Sequence, residues 1–592
     1  MKLNNYQVFP FLGKALFFSV GIFTILACNN SSSKEENQAQ KIEEIEKIVV
    51  TPIDIDFKTT ISRNNSAAYV TSQCYTKTKE DDSSIVHNPC FSCHINSSEP
   101  NYIDDAELQT LNDFSDYTKV NRFTNLFKDR TTLVGQISDE EILSYVREDN
   151  YIENQNIKLA QKLSNIPSEW DVNDDGIWNG YMPDCYFNFD DEGFDRDKEN
   201  NFTGWRAFSY YPFLGTFWPT NGSTDDVLIR LPKAFQEGVN GDFSKDIYKI
   251  NLAIIESLIK QKDIQIDEVD ENLYGVDLDQ DGVLNIAKEI KYKWEKPTYN
   301  ATLQRIENFS MSYVGRAKDM LITNEYLIAP GLYPKGSEFL HSVRYIDIDD
   351  SNSVKMASRM KELRYAKKVH WNSYPQLLNA SMDEIMERDL FPDRLRTIIG
   401  DTERGLQTGL GWTYQGFIED VEGELRPQNY EETQYCIGCH SGIGAIVDST
   451  FVFQRKFDFN SHQNGWYHWL QDTKGFKNIK EPKTKDGRNE YSLYLEKNHA
   501  GDEFRTNDEV IKKFFHEDGT LKEDEISTLN DDISHLIIPS AKRALELNKA
   551  YKVIVDEQSY IYGRDAHIKP VKNVHKSLVP QTSTGNEMVI LQ

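Results

Sequence analysis

The chain has 592 residues, with 39% apolar and 12% aromatic side chains, which describes a folded, loop-rich protein of more than one ordinary core and excludes a disordered one. Its formal net charge of −28 excludes nucleic acid as a partner, because phosphate binding needs clustered Lys and Arg. The same charge suits a soluble surface that repels acidic polymers and steers basic partners toward it.

In chain order, Lys2 and Lys14 precede the apolar run "ALFFSVGIFTILA", which is too short and one-sided for a membrane span and reads as a signal peptide over residues 1–27. Ile25-Leu26-Ala27-Cys28 resembles the lipobox of bacterial lipoproteins, which implies a lipid on Cys28 and an exported protein anchored to the cell envelope. Asn29, in place of Asp, implies the outer membrane under the enteric sorting rule. Residues 28–50 are polar, lack aromatics and read as a tether.

Residues 51–215 carry "HNPCFSCHIN", the loop "DVNDDGIWNGY" and an aromatic run, "GWRAFSYYPFLGTFW". Residues 216–335 carry a helix, "SKDIYKINLAIIESLIKQK", and the loop "DLDQDGVLNIAKE", followed by a helix from about Asn285. Residues 336–500 hold a predicted helix, "SVKMASRMKELRYAKKVHW", a hairpin about the Glu422-Gly423 turn, and "QYCIGCHSGI". Residues 501–592 are helical, with Pro539 and Ser540 as start signals for "PSAKRALELNKAYKVIVDEQSY". The expected fold is therefore mainly α and multidomain, with extensive irregular loops and a few short hairpins.

Seven cysteines define the chemistry. Two Cys-x-x-Cys-His motifs, Cys90/Cys93/His94 and Cys436/Cys439/His440, allow three readings. A shared zinc site places its pairs far closer in sequence, and thiolate zinc suits reducing compartments. Local redox disulfides leave both histidines unexplained. Two covalent haems use every residue: the thiols add to the porphyrin vinyl groups and the adjoining His94 or His440 ligates the iron. Setting Cys28 aside for lipid leaves Cys74 and Cys185, which pair most simply as a disulfide in an oxidising compartment.

With these motifs, "FWPTNGSTDDVLIRLP", "RMKELRYAKK" and "CIGCHSGIGAIVDSTF" make the chain resemble dihaem c-type cytochromes, in particular long bacterial exported dihaem proteins. Dihaem peroxidases and rubber oxygenases share the two-motif layout with much closer motifs. The resemblance implies two covalent haem c groups and electron transfer in the envelope, with a redox protein or a small electron donor or acceptor as partner. A dihaem enzyme with one relay haem and one open haem is the alternative. The sixth iron ligand separates the two. His87, His341, His370, Met356 and Met360 are candidates for it, against ordinary roles as hydrogen-bonded or core residues.

Both acidic loops follow the D-x-[DN]-x-D-G calcium pattern. Asp171, Asn173 and Asp175 are ligand candidates in the first. Asp277, Asp279 and Asp281 are candidates in the second, with Glu289 one place beyond the usual bidentate glutamate. An acidic turn built around its glycine is the alternative in each case.

Overall fold

The computed structural model describes residues 48–586 apart from 78–85, 98, 104–105, 214–218, 452, 468–476 and 500–506. The signal peptide, most of the tether, Cys28 and the end of the aromatic run lie outside the described residues.

An antiparallel sheet organises the protein, which corrects the expectation of a mainly α chain. Its strands are β1 (Phe194–Arg196), β2 (Phe202–Ala207), β3 (Thr224–Arg230), β4 (Glu338–Ile348), β5 (Val354–Lys368), β6 (Gly400–Asp401), β7 (Gly405–Gln407), β8 (Trp412–Glu419) and β9 (Leu425–Pro427). They run in the order β6-β7-β8-β5-β4-β3-β2-β1, with β9 added to β8. Strands from the regions at 51–215, 216–335 and 336–500 thus share one sheet, and the described residues from Ile48 onward form one compact unit.

The predicted helix at "SVKMASRMKELRYAKKVHW" is β5, paired from Glu338↔Lys367 to Ile348↔Val354 with β4 and from Glu362↔Ile418 to Lys368↔Trp412 with β8. Met, Lys, Arg, Glu and Ala favour helix locally, but pairing on both sides overrides propensity. The misleading residues are Arg359, Lys361, Glu362, Arg364 and Lys368, charges that are buried or half-buried here instead of solvated, each with a partner, while Lys355 and Lys367 stay exposed. Arg359 donates to Glu419 and Glu148, Lys361 to the Gly222 carbonyl, Arg364 to Glu362, and Lys368 to Asp448. The helix predicted from Asn285 is likewise a strand, Ile286–Ile290, paired with Ile264–Asp270.

Alternation along the strands divides the core into two layers. Val227, Ile229, Phe339 and Ala366 face a layer completed by α2 (Lys245–Lys260). Leu228, Leu340, Leu363 and Tyr365 face the opposite layer with Trp205 and Phe417. Ser244 caps α2 by accepting from the Ile247 amide, and its apolar periodicity survives intact. Three further helices matter below: α1 (Cys90–Cys93), α3 (Tyr374–Leu390) and α4 (Tyr430–Cys439). The C-terminal α5 (Ala541–Glu557), capped by Ser540, is pinned to the sheet by Asn548, whose amide bonds both the carbonyl and the N–H of Ile346.

Candidate functional site: two cysteine motifs on one cavity

Each motif ends a helix. In the first, α1 spans the two cysteines and the His94 amide donates to the Cys90 carbonyl at 2.8 Å. In the second, the cysteines close α4, and the His440 amide donates to the Cys436 carbonyl at 2.9 Å. The cysteines of a pair thus stand one helical turn apart with the histidine just past the end.

Although over three hundred residues separate them in sequence, the motifs meet at one cavity of about 1320 Å³. Cys93, His94, Cys436, Cys439 and His440 line it, and Cys90, one turn before His94 on α1, is not among the lining residues. The Ala445 amide donates to the Cys93 carbonyl at 3.0 Å, joining the two motif loops directly. Two glycines permit this closeness: a Cβ on Gly444 would overlap the Ile95 carbonyl, and one on Gly438 would overlap the Tyr69 carbonyl. The cavity exceeds the usual 300–1,000 Å³ of a single small-molecule site.

His440 is held in one tautomer. Its Nδ1 donates to the Ser449 carbonyl at 2.8 Å, which leaves Nε2 as the electron-pair donor. The Tyr414 hydroxyl donates to the same carbonyl at 2.5 Å, and its ring lies 4.6 Å from the imidazole. Burial drops the His440 pKa to about 4, so the ring is neutral at ordinary pH.

Burial also raises the thiols of Cys90, Cys436 and Cys439, the last to about 12. Beside Cys436 lies a charged cluster. Burial pushes Glu362 up, but Arg364 and Arg564 together outweigh it and hold the carboxyl at about 2.

Of the five candidate sixth ligands, His341 reaches the cavity, from β4. Its Nε2 lies 2.8 Å from an Asp225 oxygen that also accepts from the Tyr210 hydroxyl. His87 is buried off the cavity wall, and His370 lies in a separate surface recess with Trp371 and Gln376. Met360 packs in the layer with Trp205, and Met356 packs against a different cluster near Phe514. Cys74 and Cys185 are not joined, which corrects the expected disulfide. Cys74 lines the cavity and accepts or donates at 3.4 Å with Thr71, whereas Cys185 is fully buried in the Trp205 layer.

The acidic loops have a common construction that their spacing alone concealed. In each, the first aspartate accepts from the glycine amide: Asp171 from Gly176 at 2.7 Å, Asp277 from Gly282 at 2.9 Å. The third acid, Asp175 or Asp281, accepts from the Asn179 or Asn285 side chain. In each, a buried glutamate from outside the loop grips backbone amides of the loop, two for Glu403 and three for Glu271, whose third is the Asp279 amide. Glu403 accepts from Val172 and Asn179, and Glu271 from Leu278 and Asn285. Glu271, Asp277 and Asp279 bring carboxylate oxygens within 4.8 Å of one another, a set of hard donors suited to calcium. Crowding adds to burial in raising the Asp279 carboxyl. Glu289 is elsewhere, bonded to Gln265, so Glu271 stands in its place. Neither Glu271 nor Glu403 lies in its loop motif, and no spacing rule selects them.

Residues 58–534 match a family described as "-like lipoprotein", and the chain belongs to this lipoprotein family. An uncharacterized lipoprotein of Aquifex aeolicus (strain VF5) is 30% identical over 556 residues, covering 84% of this chain and 85% of the relative. No solved structure matches. These matches correct the resemblance to dihaem c-type cytochromes: the family to which the chain belongs is one of lipoproteins, and neither match is described as a cytochrome. The protein is exported and lipid-anchored. Among the described residues, no helix is long and apolar enough to cross a membrane.

Proposed function

We propose that this lipoprotein holds two covalent haems in its large cavity and passes electrons between them in the cell envelope. The observation that carries this reading is the convergence of Cys93/His94 and Cys436/Cys439/His440 on one cavity, joined by the Ala445–Cys93 hydrogen bond. In each motif the two thiols would add S–H across the two vinyl groups, and the histidine would supply its ring nitrogen to the iron. Bound there, haem supplies reversible one-electron oxidation and reduction. The Ser449 carbonyl keeps His440 protonated at Nδ1 and aimed through Nε2. Tyr414 shares that carbonyl and so limits how far it makes the imidazole more basic. Cys28 would carry the lipid, and the Asn29 beside it fits the outer membrane. The second acidic loop, with Glu271, Asp277 and Asp279 together, would take structural calcium, and the first loop shares its construction.

A second reading, a haem enzyme of the peroxidase or oxygenase kind, is favoured by one feature. The His341–Asp225–Tyr210 chain brings hydrogen-bonded acid–base groups to the cavity.

The mature protein, produced in a host that attaches haem c, tests both. Its mass should carry two haem increments, falling to one in Cys90→Ala/Cys93→Ala and in Cys436→Ala/Cys439→Ala. A mass without haem ends both readings. Two low-spin irons indifferent to carbon monoxide support electron transfer, and a high-spin iron that binds it supports the enzyme.

A further inference from the structure

α3 presents an apolar row to solvent. Leu378, Met382, Met386 and Leu390 recur every four residues, from 42% exposed at Leu378 to 69% at Leu390, and form one stripe. The row continues through exposed Phe391, Leu395 and Ile399. α3 buries only Leu377 and Ser381 against the body. Single exposed apolar side chains are ordinary, but a continuous row marks a surface made to be covered.

The charged residues Asp383, Glu384, Glu387, Arg388, Asp389 and Asp393 of the same segment line the cavity, together with Phe391 and Leu395 at the end of the row, whereas Leu378, Met382, Met386 and Leu390 do not. The helix and the strip after it therefore form a wall of the cavity and carry an exposed apolar row on α3.

We infer that α3 and the strip to Ile399 lie in the interfacial layer of the membrane that holds the lipid anchor, with this wall of the cavity against the lipid. Three observations select a lipid surface as the occupant. The protein belongs to a lipoprotein family, so a bilayer is its fixed neighbour. The chain between the lipobox cysteine, Cys28, and Ile48, where the described body begins, spans about 70 Å at full extension, which keeps the body beside that surface. The row contains Leu, Met, Phe and Ile and no Trp or Tyr, with Arg394 stacked over Phe391 at its end, and an interfacial helix inserts by such an apolar face. With a net charge of −28, attraction to anionic headgroups contributes nothing, so the contact is apolar and survives salt.

The test uses the mature chain from Asn29, made behind a signal that is cleaved without lipidation, and phosphatidylcholine vesicles. The chain should float with the vesicles at low and high salt. Met382→Glu/Met386→Glu should lower that binding about tenfold or more, since each inserts a charge into the apolar face. Val239→Glu and Leu273→Glu, at exposed apolar sites elsewhere, should leave it unchanged. Absence of vesicle binding by the parent chain overturns the inference, as does an equal loss in the two control variants. A concentration-dependent dimer abolished by Met382→Glu/Met386→Glu without vesicle binding also overturns it, and assigns the row to a second copy.

Discussion

Glu432 ties the second motif to the sheet. Both of its oxygens accept from Arg426, at 2.8 and 2.9 Å, and Oε2 also accepts from the Asn429 amide, completing the capping box of α4. Both side chains are almost fully buried. Burial alone would lower the Arg426 pKa, but Glu432 outweighs it and holds the guanidinium charged. Glu432→Gln leaves that cation without its counter-charge. Two charge-assisted hydrogen bonds at about 1.5–3 kcal/mol each, and the cost of about 3–5 kcal/mol for breaking a buried pair, agree on a loss near 4 kcal/mol. Gln558 and the Pro427 carbonyl still accept from Arg426, which places the value toward the lower end. Urea unfolding followed by tryptophan fluorescence measures it. The double variant Arg426→Met/Glu432→Met should lose well under the sum of the two single losses, because it leaves no buried charge. A Glu432→Gln loss under about 1 kcal/mol, or a double loss equal to the sum, would refute this account of the pair.

Three further predictions follow from specific residues. Calcium should raise the melting temperature; Glu271→Gln and Glu403→Gln should each remove part of that rise, read by calorimetry with and without chelator. Burial raises the Glu419 carboxyl to about 7, although Tyr345, Tyr145 and Arg359 all donate to it. A raised carboxyl favours the protonated folded state, so its contribution is complete below the unfolded value near 4.5 and is lost as pH climbs to about 7. Up to about 3 kcal/mol is involved over that window, and Glu419→Gln should flatten the stability–pH curve there. Gly438→Ala should destabilise by about 1–3 kcal/mol through overlap with the Tyr69 carbonyl, measured by the same urea unfolding, and Ser441→Ala nearby should not.

What the sequence made legible was local. The caps and periodicity of α2 and α5 predicted helices that formed, and the Glu422-Gly423 turn predicted the β8–β9 hairpin. The sheet was hidden because its central strand, β5, carries charged residues whose partners, such as Glu419, Asp448 and Arg564, lie far away in sequence. A charged residue buried by a distant partner has the same local signature as one in water. The candidate site divided the same way. Each motif announced its own cysteines and histidine, but Asp225 behind His341 and Ser449 behind His440 depend on strand register and loop closure. The expected Cys74–Cys185 bond came from counting thiols, and counting carries no distance.

The walls of the cavity come from Tyr69 near the start of the described chain, from β4 and β5 in the middle, and from Arg564, Ala566 and Gln581 near the end. The Cys93 carbonyl is already engaged by Ala445 once the body has closed. A group bound to both motifs would therefore be clasped by the first, middle and last parts of the described chain at once, so its binding would stabilise their packing on one another.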